Sequence, residues 1–302
     1  MKIDDIEKLS FEIDGDIFFQ YDLKKLNWFN IGGKTEIFFK PNSLKSLVKF
    51  LKIYSKRGKI FILGAGSNLL INDSTYPGAV IKLGKNFSNI SILNENLIVA
   101  GCAISQKNLS EYAKENNFGE LEFLSCIPGS VGGGIRMNSG CFESEFKDIL
   151  VSVQYIDFEG IVKTINSKNI NFEYRGSNLP EEAIFLSATF KGVKKNKIEI
   201  QKKIDELKKK KEKAQPSRIK TGGSTFKNPK KKTEKKVWQL IKESVPSDTK
   251  FGDAKISEKH SNFFINTNNS SFNDMKALID FVKNKVKEKT GIEISLEIVI
   301  VE

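Results

Sequence analysis

The stretch Cys126-Ile-Pro-Gly-Ser-Val-Gly-Gly-Gly-Ile-Arg-Met-Asn-Ser-Gly140 constrains this chain most, because Gly129, Gly132, Gly133 and Gly134 leave its backbone almost bare just after an apolar run. Glycines without Cβ admit positive φ and let main-chain N–H groups come close to a ligand, which is one way to hold a pyrophosphate without a dedicated cation. Ser130 and Asn138 add side-chain donors. No Gly-Lys-Ser/Thr closes the loop, so a P-loop nucleotidase is excluded. Taken alone, the stretch reads equally well as a cluster of surface turns.

A second loop upstream shifts that balance. Phe61-Ile-Leu-Gly64-Ala-Gly66-Ser-Asn68 is a strand running into a glycine turn, like the start of a dinucleotide fingerprint. The third glycine is missing, and Leu69-Leu-Ile-Asn-Asp-Ser-Thr-Tyr-Pro-Gly78 turns where a Rossmann unit needs a helix. Two phosphate-approach loops in a mostly β context imply one dinucleotide held between them.

A length of 302 residues with 39% apolar content suits two domains, or three small ones. No apolar run is long enough to span a membrane, and the acidic opening Met1-Lys-Ile-Asp-Asp-Ile-Glu7 lacks a signal core, so a cytoplasmic protein without membrane contact is expected. Cys102, Cys126 and Cys141 have neither CxxC nor metal spacing and fit a reducing compartment; no metal is expected. The formal charge of +12 invites a nucleic-acid reading, yet the cations are nearly all lysine and the arginines number four: Arg57, Arg136, Arg175 and Arg218. That is compositional bias rather than a base-reading surface, and no nucleic-acid partner is expected. Where lysine is the default, each guanidinium gains weight for its fork geometry.

Along the chain, strand-like pieces at 17–19 and 36–41 precede a helix over 43–56, with Ser43 as N-cap and Leu44, Leu47, Val48 and Leu51 at helical spacing. Strands are predicted at 60–63, 79–83, 97–100, 149–158 and 183–190, with a helix near 105–117 between them. Residues 195–213 read as a lysine-rich boundary helix with Ile200, Ile204 and Leu207 on one face. Its run Lys208 to Lys211 is either a solvated face or a phosphate-binding patch, the former preferred. A further αβ unit follows, with helices at 235–244 and 273–289, a strand at 262–266 and a closing strand at 294–301. The class is α+β, divided as 1–58, 59–195 and 196–302.

Six ordered motifs then carry a resemblance over nearly the whole chain: Ile31-Gly-Gly, Gly64-Ala-Gly-Ser-Asn-Leu-Leu, Ile127-Pro-Gly-Ser-Val-Gly-Gly with Met137-Asn, Tyr174-Arg-Gly-Ser177, Gly223-Ser-Thr-Phe-Lys-Asn-Pro229, and Ser257-Glu-Lys-His-Ser-Asn-Phe-Phe-Ile-Asn266. Their order resembles that of the UDP-N-acetylenolpyruvoylglucosamine reductase family. The resemblance implies a vanillyl-alcohol-oxidase-type (PCMH-type) FAD-binding domain, a C-terminal substrate-binding domain, NADPH as co-substrate, a UDP-sugar substrate, and the second step of peptidoglycan precursor synthesis. It assigns Gly64, Ala65, Gly66, Ser67, Asn68 and Leu69 of one loop, and Pro128, Gly129, Ser130, Gly132, Gly133 and Asn138 of the other, to the cofactor. FAD is expected to be non-covalent, since tethered members of this fold use histidine or cysteine against the flavin and the only histidine here, His260, lies in the C-terminal half; Cys102, Cys126 and Cys141 are the remaining candidates for a tether. A monomer is expected.

Reducing an enolpyruvyl ether places hydride on its β-carbon and throws negative charge onto the α-carbon and carboxylate, which must be stabilised and then quenched by a proton. Arg175 can fork onto the carboxylate; a structural ion pair is the alternative. By resemblance Arg175 is catalytic, Ser224 is the proton donor to the α-carbon, and Glu297 helps to stabilise the enolic intermediate. A turn serine and a solvent-facing strand glutamate are the ordinary readings of the last two. Lys227, Asn228 and, more weakly, Lys259 are candidates for the UDP moiety. His260 reads as a hydrogen-bonding structural residue, not a base. Asn27 and Trp28, Asp253 and Glu302 depart from the family pattern. All six tyrosines fall at or before Tyr174, so the chain resembles the subgroup without a tyrosine lid. Two other readings stand beside this one: a different FAD oxidoreductase of the same fold, and a basic nucleic-acid binder using the lysine helix.

Overall fold

Residues 13–229 and 232–302 are described in the computed structural model; the acidic stretch 1–7, considered above for targeting, lies outside them. The chain forms two compact units whose sequences interleave. The first collects the described residues up to Phe19 with 36–65 and 77–209; the second collects 20–35, 66–76 and 210–302.

The first unit is built on two sheets. One has the order Gly15–Asp22, Lys34–Pro41, Tyr76–Ile81, Lys59–Ile62, the last two being parallel. The other is antiparallel, ordered Val162–Asn166, Leu150–Asp157, Ala183–Lys191, Leu97–Gly101, Ile90–Asn94. Strand 183–191 is buried on both faces over its first four residues, where the two-residue period divides it. Ala183 and Phe185 enter a core with Leu109, Phe146 and Leu207, whereas Ile184 and Leu186 join Phe39, Leu47, Phe50 and Ile81. Beyond an irregularity in the pairing with Leu150–Asp157, Ala188 and Phe190 return to the first of these cores. Helix Leu44–Tyr54 starts at Ser43, whose hydroxyl accepts from the Ser46 amide at 3.1 Å, and its Phe50 stacks on Phe39 at 4.3 Å. Helix Lys197–Ala214 buries Ile200, Ile204 and Leu207, the face expected from sequence.

The second unit packs helices Val237–Ser244 and Phe272–Thr290 with a small antiparallel sheet, Lys250–Phe251, Ala254–Ile256, Phe264–Asn266. Phe226, Leu240, Ile241, Phe264, Met275 and Val282 fill its core. Ser271 and Asp274 cap the longer helix reciprocally, and the Asp73 carboxylate accepts the Phe272 amide at 2.6 Å. The expected linear division differs from this interleaving for a pairing reason. Strand Leu69–Ile71 runs parallel to Val299–Val301, and the Gly33 amide donates to the Asn72 carbonyl at 2.8 Å, which draws two early segments into the unit of the C-terminus. Register between such distant strands leaves no local trace.

The closing strand is shorter than predicted, Val299–Val301 in place of 294–301. Leu296 makes a single bridge to Phe226, and the Glu297 amide donates to the Thr225 carbonyl at 2.8 Å. An apolar run read as one strand is thus split between two partners.

Candidate functional site

In the first unit the two glycine loops meet. A Cβ built on Gly64 would lie 2.7 Å from the Ser130 hydroxyl, so any side chain at 64 would close the space between the loops. Ser130 is buried and caps the six-residue helix Val131–Arg136, accepting from the Gly133 amide at 3.3 Å. The amides of Val131 and Gly132 are taken by the carbonyls of Ile104 and Cys102 at 2.8 and 2.9 Å, which staples the loop to the segment before helix Gln106–Glu115. Bareness here serves close packing as well as approach: a Cβ on Gly134 would strike the Phe146 ring at 2.4 Å.

Asn138 is fully buried in a left-handed conformation, φ 41°. Its amide nitrogen donates to the Glu145 carboxylate at 3.1 Å and the Glu173 carbonyl at 3.0 Å, and its oxygen accepts from the Lys147 amide at 3.0 Å. Its side chain is thus spent on organising the approach to Arg175. Arg175, also left-handed at φ 59°, donates to the Gly140 carbonyl at 2.8 Å, lies over the Tyr174 ring at 4.9 Å and stands 3.9 Å from Glu145. The ion pair weighed as the alternative for Arg175 is present, and the guanidinium remains partly exposed.

The turn carrying Gly64 passes from the first unit into the second at Ala65/Gly66. Gly66 has φ 68°, and a Cβ there would meet the Leu26 carbonyl oxygen at 2.1 Å, so only glycine fits. Its carbonyl accepts from the Trp28 amide at 3.0 Å. The neighbouring Asn27 is buried, and its side-chain nitrogen donates to the Ile31 carbonyl at 2.7 Å and the Leu23 carbonyl at 3.2 Å. This departure from the family pattern therefore holds the Phe29–Gly33 loop.

In the second unit Ser224 and Glu297 are main-chain neighbours. Ser224 bridges to Phe263 on one side, while the next residue, Thr225, accepts from the Glu297 amide on the other. Asn68 reaches the same place: its side-chain nitrogen donates to the Glu297 carbonyl at 2.9 Å, and its carbonyl accepts from Val299 at 2.9 Å. Lys227 is fixed through its amide to the Ser295 carbonyl at 2.8 Å, and the Asn228 side chain accepts from the Val237 amide at 3.0 Å. Lys259 lies on the surface with its ammonium on the Glu212 carbonyl. His260 is partly buried; its Nδ1 accepts the Asn262 amide at 3.2 Å, and burial lowers its pKa below the ordinary histidine value.

Several participants carry no sequence signal. Glu145 is one acid among many until the fold sets it beside Asn138 and Arg175. Asn262 exchanges two 2.9 Å hydrogen bonds with the backbone of Phe226 and accepts the Thr225 amide at 2.8 Å on its own carbonyl, so it fixes the Ser224 segment. Beside Ser224, the fully buried Thr225 hydroxyl has no partner among the described residues. Cys102 and Cys126 are buried, and burial raises the Cys102 thiol far above its ordinary pKa, which disfavours thiolate chemistry there.

Comparison with known proteins fits this geometry. The sequence profile of an FAD binding domain matches residues 35–166, and that of the UDP-N-acetylenolpyruvoylglucosamine reductase C-terminal domain matches residues 215–301. A UDP-N-acetylenolpyruvoylglucosamine reductase from Pelagibacter ubique (strain HTCC1062) is 58% identical over 302 residues, all of both chains. One from Rickettsia bellii (strain RML369-C) is 41% identical over 286 residues, 95% of this chain and 94% of that one. The crystal structure of UDP-N-acetylenolpyruvylglucosamine reductase from Thermus caldophilus matches with a TM-score of 0.81 at 26% identity, covering 96% of this chain and 100% of that chain. FAD is the cofactor, and the loop pair fits it: the space that a Cβ on Gly64 would fill is bordered by a serine hydroxyl, the kind of donor a phosphate oxygen takes. With full-length identity of this degree and both domain profiles in sequence order, the chain belongs to the UDP-N-acetylenolpyruvoylglucosamine reductase family.

Proposed function

We propose that this chain reduces the enolpyruvyl group of UDP-N-acetylenolpyruvoylglucosamine to give UDP-N-acetylmuramate in peptidoglycan precursor synthesis, with NADPH as the source of reducing equivalents. Bound FAD supplies the hydride carrier, which no side chain can replace. The Arg175 guanidinium pairs with the substrate carboxylate, where negative charge grows as the β-carbon gains hydride. Ser224 gives its hydroxyl proton to the α-carbon and recovers one from solvent. A serine is a weak acid, but an enolate is a strong base, and a fixed neighbour needs little driving force. Glu297 helps to stabilise the enolic species. Lys227, Asn228 and Lys259 hold the nucleotide of the UDP-sugar, and the glycine loops hold the FAD pyrophosphate.

One observation carries this assignment: the 2.8 Å bond from the Glu297 amide to the Thr225 carbonyl, which makes neighbours of a serine and a glutamate that lie 73 positions apart in sequence. The left-handed backbone of Arg175 adds support, since such strain in a non-glycine residue costs about 1 kcal/mol or more and collects at working sites. Among the described residues no helix is long and apolar enough to cross a membrane. We place the chain in the cytoplasm as a monomer without a nucleic-acid partner; no disulfide links Cys102, Cys126 or Cys141 among the described residues.

The test is an anaerobic one. Enzyme bleached with NADPH should regain its flavin colour on addition of UDP-N-acetylenolpyruvoylglucosamine and stay bleached with UDP-N-acetylglucosamine. Recovery with both, or with neither, would sink the reading.

A further inference from the structure

Lys82 follows strand Tyr76–Ile81 and is partly buried, with its ammonium donating to the carbonyl oxygen of Gly64. That carbonyl belongs to the glycine whose Cβ direction points at the Ser130 hydroxyl. The lysine therefore stands at the turn where the two loops come together, all within the first unit.

Its electrostatic setting is unusual. Among the described residues no carboxylate compensates Lys82: burial is the largest influence on its pKa, the charge of Lys40 is the next, and both lower it. By contrast, the buried Lys114 is paired with Glu111 and Glu115. Withdrawing an ammonium from water without a counter-charge is costly, and one carbonyl dipole offsets only part of that cost. A dianionic ligand beside it would reverse the balance.

We infer that Lys82 is the counter-charge for the pyrophosphate of FAD, a cofactor-binding residue outside both glycine loops. The loops were read above as holding pyrophosphate without a dedicated cation, and this assignment adds one at the turn. It rests on the placement of the pyrophosphate at the Gly64 and Ser130 loops, so its test separates the two claims.

The measurement is equilibrium binding of FAD, and separately of riboflavin, to the full-length chain freed of flavin, followed by quenching of flavin fluorescence. Riboflavin carries the ring system without phosphate. Lys82→Met should raise the Kd for FAD by about tenfold or more, the share of a charge-assisted hydrogen bond, and leave the Kd for riboflavin within about twofold. Lys82→Arg, which keeps the charge and protects against a folding failure of the first variant, should stay within about threefold of wild type for both. Unchanged FAD affinity in Lys82→Met overturns the inference, and so does an equal loss for FAD and riboflavin, which would make Lys82 a support of the loop. Gly64→Val tests the placement itself. If it weakens FAD while Lys82→Met does not, the loops keep their role and Lys82 loses its own; if Gly64→Val leaves FAD affinity intact, the placement fails.

Discussion

Arg175 in the first unit is held largely by side chains: Glu145 at 3.9 Å, itself anchored by Asn138, and the Tyr174 ring beneath the guanidinium, with the Gly140 carbonyl as a main-chain partner. Ser224 in the second unit is held by main chain: the bridge to Phe263 before it, the Thr225 amide to Asn262 and the Glu297 amide to Thr225 just after it. The difference follows from what each group does. A guanidinium on a long flexible stem must be fixed near its tip, whereas a hydroxyl carried on Cβ has only a few rotamers left once its backbone is fixed. Substitutions around Arg175 should therefore grade function, and loss of the Ser224 hydroxyl should remove one step and nothing else.

The largest expected effect is that of Ser224→Ala. No proton reaches carbon when NADPH reduces the flavin, so stopped-flow bleaching without substrate should be unchanged. Reoxidation by UDP-N-acetylenolpyruvoylglucosamine should slow by about 10²-fold or more, the usual share of general acid catalysis. The backbone bonds remain, so the melting temperature should hold. Equal slowing of both half-reactions would assign Ser224 to cofactor positioning and break the contrast with Arg175.

Arg175→Lys comes next. Lysine keeps the charge and loses the fork, and kcat/KM for the enolpyruvyl substrate should fall by about tenfold. Glu145→Gln should cost less, a few fold, because the Gly140 carbonyl and the Tyr174 ring still hold the guanidinium. A greater loss in Glu145→Gln than in Arg175→Lys would mean that Glu145 acts directly and not through the arginine. Steady-state kinetics of both variants decide it.

The legibility of the two units differed for related reasons. Gly64 and the 129–134 cluster could be read as a loop pair because a missing Cβ is a fact of sequence, and the structure brings Gly64 to Ser130. The helix at 43–56 was legible from apolar spacing and its cap; it and the helices expected at 105–117 and 273–289 are found at Leu44–Tyr54, Gln106–Glu115 and Phe272–Thr290. The surroundings of Glu297 were not. Ile294, Leu296 and Ile298 alternate as a strand would, yet this stretch is bound to residues 225–227 through separate hydrogen bonds before pairing begins at Val299. Periodicity reports which residues are buried and is silent on which partner buries them. The same silence hid Glu145 and Asn262, whose partners are set by tertiary contact, and the passage of 20–35 and 66–76 into the second unit.

A smaller effect separates the units by pH. His260 is the chain's only histidine, and its Nδ1 must stay unprotonated to accept the Asn262 amide. Burial holds its folded pKa below the ordinary value of about 6.5. The sign follows: its contribution to stability is full above about pH 6.5 and is lost as pH falls through the lower folded value. Hydrogen exchange of the Thr225 and Phe226 amides should therefore quicken between about pH 7 and pH 5, beyond the intrinsic trend, while Gly132 and Val131 in the first unit should not respond. His260→Asn should remove the difference. A matching response in the first unit would show that the acid sensitivity is global.

The smallest effect is expected on helix Lys197–Ala214, where the lysine run follows the buried face of Ile200, Ile204 and Leu207. Lys209 and Lys210 are exposed and Lys208 and Lys211 half-buried, so the run lies mostly in water. Charges in that setting are screened over about 10 Å at 0.1 M salt, which weakens what their loss can do to the reaction. Replacing Lys208, Lys209, Lys210 and Lys211 together by glutamine should leave kcat/KM within a few fold of wild type and shift mainly its dependence on ionic strength. The measurement is kcat/KM across a salt series. A drop of about a hundredfold, roughly 2.7 kcal/mol, would bring these lysines into the binding of the anionic substrate and would make the helix, rather than Lys227 and Lys259, the cationic side of the nucleotide site.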